Sequence, residues 1–97
     1  MFLLVSTYSA SIDVMDELLP AHREYLERHL NDGVFVLWAR QVPRTGGVII
    51  AHGVDRARVE AITAEDPFVQ ANAASYQVIE VQPTGGLAEL ISLLASS

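Results

Sequence analysis

Residues 34–51 read VFVLWARQVPRTGGVIIA, two apolar runs separated by a turn that contains one proline and two glycines. The runs are rich in β-branched and aromatic residues, which predicts strands from Val34 to Val42 and from Gly47 to Ala51. Proline and glycine favour the tight turns that join neighbouring strands, so residues 43–46 are predicted to close a hairpin. This hairpin is the centre of the predicted fold.

Outward from the hairpin, strand patterns alternate with helix patterns. Phe2 to Tyr8 predicts a first strand, and Asp13 to Gly33 predicts an amphipathic helix in which Pro20 marks either a kink or the first turn of the main helix. A second helix is predicted after Asp55, and Tyr76 to Gln82 predicts the last strand. The order βαββαβ indicates a ferredoxin-like α+β fold with an antiparallel four-stranded sheet, to which a C-terminal helix is added.

The predicted strands are apolar on both faces. An antiparallel sheet with helices on one face and water on the other alternates apolar and polar residues, but Phe2 to Val5, Val34 to Ala39 and Val48 to Ala51 do not alternate. Helices cover one face, and a second copy of the same sheet is the simplest cover for the other. We therefore expect a homodimer or a larger assembly, to which the apolar tail helix could contribute.

The composition excludes several classes of protein. The 97 residues include six Arg, no Lys, no Cys and twelve acidic residues, for a net charge of −6. This charge disfavours nucleic-acid binding, and the absence of Cys excludes a disulfide scaffold. No apolar run approaches the ~20 residues that span a membrane, and the first residues lack the pattern of a signal peptide. We expect one soluble, cytoplasmic domain, with a core at residues 1–82 and a helical tail at residues 83–97.

His22 is a candidate catalytic residue because it lies on the apolar face of the predicted first helix, beside Tyr25 and Leu26. Imidazole transfers protons near neutral pH when a partner orients it. The same position also fits a core histidine that is hydrogen-bonded to a backbone carbonyl. The spacing alone leaves both interpretations open.

Asp66 is the second candidate, and it directly precedes Pro67. Aspartate followed by proline is a common start of a helical turn, so a purely structural role is the simpler interpretation. One carboxylate oxygen can cap the turn while the other accepts a hydrogen bond from an imidazole. Capping and catalysis are therefore compatible at this position.

The hairpin carries candidates for substrate binding. Arg40 lies near the end of the predicted second strand, and Arg44 and Thr45 lie in the turn. A guanidinium group beside a cleft is a natural partner for a carboxylate or phenolate, although a solvated hairpin tip explains the same residues. Trp38 fits either the core or the wall of a pocket.

The sequence predicts neither a metal nor an organic cofactor. His29 lies two helical turns from His22, roughly 10 Å along the axis, which is too far for the two to share one ion. The glycine-rich and serine motifs of nucleotide-binding proteins and hydrolases do not occur. His29 is expected in the core or at an interface.

Three segments resemble the YciI-like family, also described as the YCII-related domain. They read LPAHREYL at residues 19–26, VPRTGGVI at residues 42–49 and DPFV at residues 66–69. The resemblance covers residues 1–82 and implies a dimeric α+β barrel. It also implies that His22 and Asp66 form an acid/base pair in a pocket, as in muconolactone-isomerase-like relatives, with cofactor-free chemistry such as dehydrochlorination. Trp38-Ala39 replaces the Ser-Gly pair of many relatives, so an indole would occupy space in the pocket if this position lines it.

Two hypotheses follow. In the first, the chain is a cofactor-free isomerase or lyase, with His22 and Asp66 as catalytic residues and a small acidic, aromatic-derived metabolite as substrate. The residues that bind the substrate would be Trp38, Arg40, Arg44 and Thr45. In the second, the chain is a non-catalytic dimeric module that binds a small ligand or has a structural role. An open cavity beside His22 would favour the enzyme.

Overall fold

The computed structural model describes residues 1–95. Its elements are, in chain order, β1 (Phe2–Tyr8), α1 (Ile12–Asn31), β2 (Phe35–Arg40), β3 (Gly47–Ala51), α2 (Arg56–Ala64), α3 (Pro67–Gln70), β4 (Ala74–Glu80) and α4 (Ala88–Leu94). The predicted βαββαβ order and the additional C-terminal helix are confirmed. Residues 96 and 97, the end of the predicted tail, lie outside the described residues.

The four strands form one antiparallel sheet in the order β2-β3-β1-β4, which is the ferredoxin-like arrangement. Both predicted bounds of β2 and of β4 were wrong, since β2 begins one residue later than Val34 and β4 ends at Glu80, two residues before Gln82. β2 stops at Arg40 because the backbone N–H of Gln41 turns to the carbonyl of Gly46, and the amide of Gln41 donates to the carbonyl of Ser6. β4 begins at Ala74, two residues earlier than predicted, because Tyr8 extends far enough to pair with it.

α1 begins one residue earlier than predicted. The side chain of Ser11 accepts a hydrogen bond from the backbone N–H of Val14 and caps the helix. The helix is continuous through Pro20, so the prediction that Pro20 could lie in the first turn is wrong. Gly33, with a φ of 78°, follows the end of α1, where a left-handed conformation favours glycine.

One face of the sheet packs against the helices and forms the core. Leu4 and Ile49 from the central strands are buried together with Tyr25 and Leu26 from α1. In the described residues no helix is long and apolar enough to cross a membrane. α4 packs loosely, since none of its residues is buried and Leu87 before it is 66% exposed.

The other face of the sheet is apolar, and no helix of residues 1–95 packs on it. Leu3, Val5 and Ile50 occupy the alternate positions on β1 and β3, and all three are only half-buried. Leu37 on the edge strand β2 is 57% exposed. This open apolar face has the composition that the sequence pattern predicted.

Candidate active site

His22 on α1 and Asp66 at the start of α3 are in direct contact. The distance from His22 Nδ1 to Asp66 Oδ1 is 2.8 Å, across 44 positions of sequence. α1 and α3 pack against each other, which brings the middle of the long helix next to the first residue of the short one. The side chain of His22 is 13% exposed, whereas that of Asp66 is fully buried.

Asp66 accepts three hydrogen bonds. Its Oδ1 accepts from the backbone N–H of Phe68, at 2.9 Å, as well as from His22. Its Oδ2 accepts from the hydroxyl group of Tyr76, at 2.6 Å. Asp66 therefore caps α3 and also contacts His22, as the sequence allowed. Both hydrogen bonds use Oδ1, so the expectation that each role would use a different oxygen was wrong.

These partners determine which nitrogen of His22 carries the proton. A carboxylate accepts hydrogen bonds at both oxygens, so all three partners of Asp66 act as donors. Nδ1 of His22 is therefore protonated, and Nε2 is the nitrogen that can accept a proton. The imidazole is further fixed by the ring of Phe68, which stacks on it with centroids 3.9 Å apart and planes within 9°.

A cavity of about 320 Å³ opens beside this pair, between the helices and the sheet. His22 and Phe68 form part of one wall, and Trp38 and Arg40 on β2 form part of another. The volume lies at the small end of the range of about 300–1,000 Å³ for small-molecule sites. The indole of Trp38 thus lines the cavity and leaves it open.

Three residues of the cavity wall carry hydroxyl groups. They are Ser6 and Tyr8 on β1 and Tyr76 on β4. Ser6 is held in place because its Oγ accepts from the backbone N–H of Gly47, at 2.8 Å. Hydroxyl groups can donate and accept, so the cavity can bind polar substituents of a ligand as well as its apolar surface.

Two of the residues predicted to bind substrate lie elsewhere. Neither Arg44 nor Thr45 is among the residues that line the cavity. Arg44 instead forms an ion pair with Asp16 on α1, with 2.8 Å between Nη1 and Oδ1, and its guanidinium group lies 6.0 Å from the ring centre of Tyr8. The hydroxyl group of Thr45 contacts the carbonyl of Pro43. In this structure Arg44 ties the hairpin to α1.

Tyr76 is a functional candidate that the sequence analysis missed. Its only sequence signal is its place near the start of the last strand, where alternation cannot tell which face it occupies without the strand register. Burial raises the pKa of the Tyr76 phenol, and the nearby charge of Asp66 raises it further. Tyr76 therefore remains a hydrogen-bond donor to Asp66 throughout the neutral range.

We expect Tyr76→Phe to change the response of stability to alkaline pH. Burial and the charge of Asp66 raise the pKa of Tyr25 as well as that of Tyr76. Above about pH 10 the two phenols lose their protons in the unfolded chain but keep them in the folded chain. The free energy of unfolding therefore falls as the pH rises above this value. Below about pH 10 the two tyrosines make their full contribution to the free energy of unfolding. The variant retains one of the two tyrosines, so its decline should be about half as steep.

Urea titrations at about pH 9 and about pH 11 measure this slope. Tyr25→Phe is the matched variant, because it removes the other tyrosine with a raised pKa and leaves the hydrogen bonds of Asp66 unchanged. Its decline should likewise be about half as steep. A slope in Tyr76→Phe equal to that of the wild type would contradict the assignment.

His29 is buried, as the sequence predicted, at 2% exposure. Its Nε2 lies 3.1 Å from Glu65 Oε1, and it takes no part in lining the cavity. Among residues 1–95, no three histidine, aspartate or glutamate side chains converge as a set that could hold a metal ion.

Two solved structures share this fold. One is the 5-chloro-2-hydroxyhydroquinone dehydrochlorinase of Burkholderia phenoliruptrix AC1100, in complex with 2,5-dihydroxybenzoquinone. Its sequence is 19% identical to this chain, and the TM-score is 0.70. The match covers 84% of this chain and 94% of the dehydrochlorinase. The other is an antibiotic biosynthesis monooxygenase, 17% identical with a TM-score of 0.53 over 86% of this chain and 100% of its own. No curated protein sequence matches the chain.

The chain also matches a protein-family model. The model of the YCII-related domain matches residues 1–82, which hold all six strands and helices of the ferredoxin-like order together with α3. The match includes both members of the His22–Asp66 pair and every residue of the cavity wall. The chain therefore belongs to the YCII-related domain family.

Proposed function

We propose that this protein is an enzyme that transfers a proton through His22 and Asp66, and that its substrate is a small acidic, aromatic-derived metabolite. The reaction class is isomerisation or elimination of the dehydrochlorinase type. The chemistry needs neither a metal nor an organic cofactor, because the proton acceptor is a side chain.

The observation that carries the proposal is the position of His22 at the cavity wall. Its Nδ1 is hydrogen-bonded to Asp66, so its Nε2 is the nitrogen left to act on a ligand. A structural histidine has no need of an open cavity beside it. The pairing of a buried carboxylate, an oriented imidazole and an accessible volume supports a general base.

The proposed reaction begins when Nε2 of His22 removes a proton from a substrate carbon next to a carbonyl, or from a substrate hydroxyl group. The carboxylate of Asp66 stabilises the imidazolium that forms. In an isomerisation, the imidazolium returns the proton to a second atom of the substrate. In an elimination, the electron pair of the broken C–H bond forms a new double bond, the C–Cl bond breaks, and chloride leaves with its electrons. The imidazolium then releases its proton to water.

Arg40 and Trp38 are the proposed substrate-binding residues. Arg40 is an exposed cation at the edge of the cavity, where it can pair with a carboxylate or phenolate while the reacting carbon lies near His22. The flat indole of Trp38 suits an aromatic or quinonoid ring. The solved dehydrochlorinase complex contains a ligand of this shape and charge, which supports the same class of ligand for this chain.

Turnover of a defined panel tests the proposal. The panel contains chlorinated hydroxyhydroquinones and small unsaturated lactone acids, incubated with the protein in D₂O and followed by proton NMR and chloride release. Loss of chloride, or exchange of a carbon-bound proton for deuterium, supports an enzyme. Tight binding of a panel compound with no exchange and no chloride release would instead support a non-catalytic binding module.

Arg40→Gln is expected to weaken the binding of an acidic ligand about 10–100-fold, because it removes one charge-assisted hydrogen bond. Trp38 is the only tryptophan, so quenching of its fluorescence by 2,5-dihydroxybenzoquinone, corrected for absorbance of the probe, measures the dissociation constant. Arg56→Gln, an exposed arginine on α2, is the control and should bind like the wild type. Equal affinity in both variants would contradict the role of Arg40.

The proposed active form is a homodimer. The open apolar face of the sheet supports it, since this face is continuous across β1 and β3 and is not covered by any helix in the described part of the protomer. A second copy of the same face is self-complementary about a two-fold axis.

Light scattering of the wild type at micromolar concentration is expected to report about twice the chain mass. Ile50→Asp places a charge on the open apolar face, so this variant should be a monomer. Leu30→Asp is the control, because Leu30 is exposed on α1 in the helix layer and its replacement leaves the face unchanged. A monomeric wild type would contradict the dimer.

A further inference from the structure

A second imidazole–carboxylate contact lies next to the first. His29 Nε2 is 3.1 Å from Glu65 Oε1, and Glu65 immediately precedes Asp66. His22 and His29 lie two turns apart on the same face of α1. Two consecutive carboxylates at the junction of α2 and α3 therefore hold two imidazoles of one helix.

Glu65 has further partners besides His29. Its Oε1 is 3.7 Å from Arg28 Nη2 on α1, and its Oε2 is 3.6 Å from Arg58 Nη1 on α2. The carboxylate therefore links the end of α1 to α2 at a partly exposed corner. Glu65 thus contacts both elements, and Asp66 is the next residue along the backbone.

The space between the two imidazoles is filled by Tyr25. Its ring centre is 6.0 Å from that of His22 and 5.1 Å from that of His29. Its buried hydroxyl group donates to the carbonyl of Ile62, at 2.8 Å, three residues before Glu65. α1 and the residues that lead to Asp66 are thus joined at three successive levels, through His22, Tyr25 and His29.

We propose that Glu65 and His29 are positioning residues that hold Asp66 at hydrogen-bond distance from His22. Neither residue lines the cavity, so neither touches a substrate there. The inference rests on the proposed function, because it assigns a purpose to the geometry of the catalytic pair. A purely stabilising ion pair would occupy the same place, but it would leave the hydrogen bond of His22 unchanged when removed.

The two imidazoles carry their protons on opposite nitrogens. His22 donates from Nδ1 to Asp66, whereas His29 donates from Nε2 to Glu65. In the described part of the chain, Nδ1 of His29 is buried without a hydrogen-bond partner, and a doubly protonated ring would bury an unpaired charged donor there. The proton that His29 donates therefore lies on Nε2, opposite to the arrangement in His22, so the NMR signals of the two rings are distinct.

Nitrogen-15 NMR of the histidine rings in the whole chain tests the proposal. The wild type is expected to show the Nδ1–H form of His22 and the Nε2–H form of His29. In Glu65→Ala, the exchange of the His22 Nδ1 proton with solvent should become roughly tenfold faster, and the two tautomers of His22 should mix, because Asp66 loses one of the contacts that fix its position. Glu65→Gln keeps an oxygen that can accept from His29 and should restore most of the wild-type signal.

Glu60→Ala is the matched control, since Glu60 is a glutamate on α2 and pairs only with Arg56 among the ion pairs of residues 1–95. Wild-type exchange and tautomer of His22 in Glu65→Ala would overturn the positioning role, even if the melting temperature falls. An Nε2–H form of His22 in the wild type would overturn the proposed function itself. The two failures are therefore distinguishable.

Discussion

Replacing His22 with glutamine is expected to lower turnover by about 10²–10⁴-fold on any panel compound that the wild type converts, because general acid–base catalysis supplies a factor of this size. Glutamine can still donate a hydrogen bond to Asp66, but its amide cannot accept a proton in the way Nε2 does. The fold should persist, since His22 is partly exposed at the cavity wall. Initial rates by proton NMR and a thermal melt measure both quantities.

His52→Gln is the matched control for this variant. His52 is a buried histidine that follows the far end of β3 and does not line the cavity. Its turnover is expected to equal that of the wild type. Turnover retained in His22→Gln would remove the imidazole from the mechanism, and a large loss of melting temperature would indicate that His22 serves mainly in packing.

Gly46→Ala is expected to destabilise the fold by at least about 3 kcal/mol, which corresponds to a melting temperature lower by more than about 10 °C in a domain of this size. A Cβ atom at Gly46 would overlap the backbone carbonyl of Ser6 on the neighbouring strand. Backbone cannot move aside as a flexible side chain can, so the hairpin and β1 would have to separate. Ser6 and Gly47 also line the cavity, and ligand binding should weaken with the fold.

Gly85→Ala provides the comparison for Gly46. Gly85 lies between β4 and α4, and a Cβ there would meet no atom within 4 Å. Its substitution should leave the melting temperature within a few degrees of the wild type, as measured by circular dichroism or calorimetry. Equal effects at the two glycines would show that close packing of the hairpin against β1 is not what Gly46 provides.

Most of the fold could be predicted because local patterns determine it. The apolar runs at residues 34–51 indicate the hairpin, and the chain order of strands and helices leaves few arrangements open. The ends of β2 and β4 could not be predicted, because they depend on contacts made by Gln41 and Tyr8 across the sheet. Pro20 was misleading for a similar reason, since the cap at Ser11 extends the helix well before it.

The site was predictable only in part. Spacing placed His22 on the inward face of α1 and Asp66 at a helix start, but their contact depends on how α1 packs against α3. Periodicity does not report that packing, and only the family resemblance pointed to the pair. Tyr76 was missed because strand register is not visible in a single sequence. Asp16, the partner of Arg44, was missed because surface ion pairs leave no local pattern.

A crystal structure of the protein soaked with 2,5-dihydroxybenzoquinone tests the central claim most directly. We expect the ligand in the cavity between α1 and the sheet, with one of its atoms within about 3.5 Å of His22 Nε2. An acidic oxygen of the ligand should lie beside Arg40, and His22 Nδ1 should remain hydrogen-bonded to Asp66. An empty cavity with the ligand bound elsewhere, or His22 and Asp66 separated by more than about 4 Å without a bridging water, would contradict it.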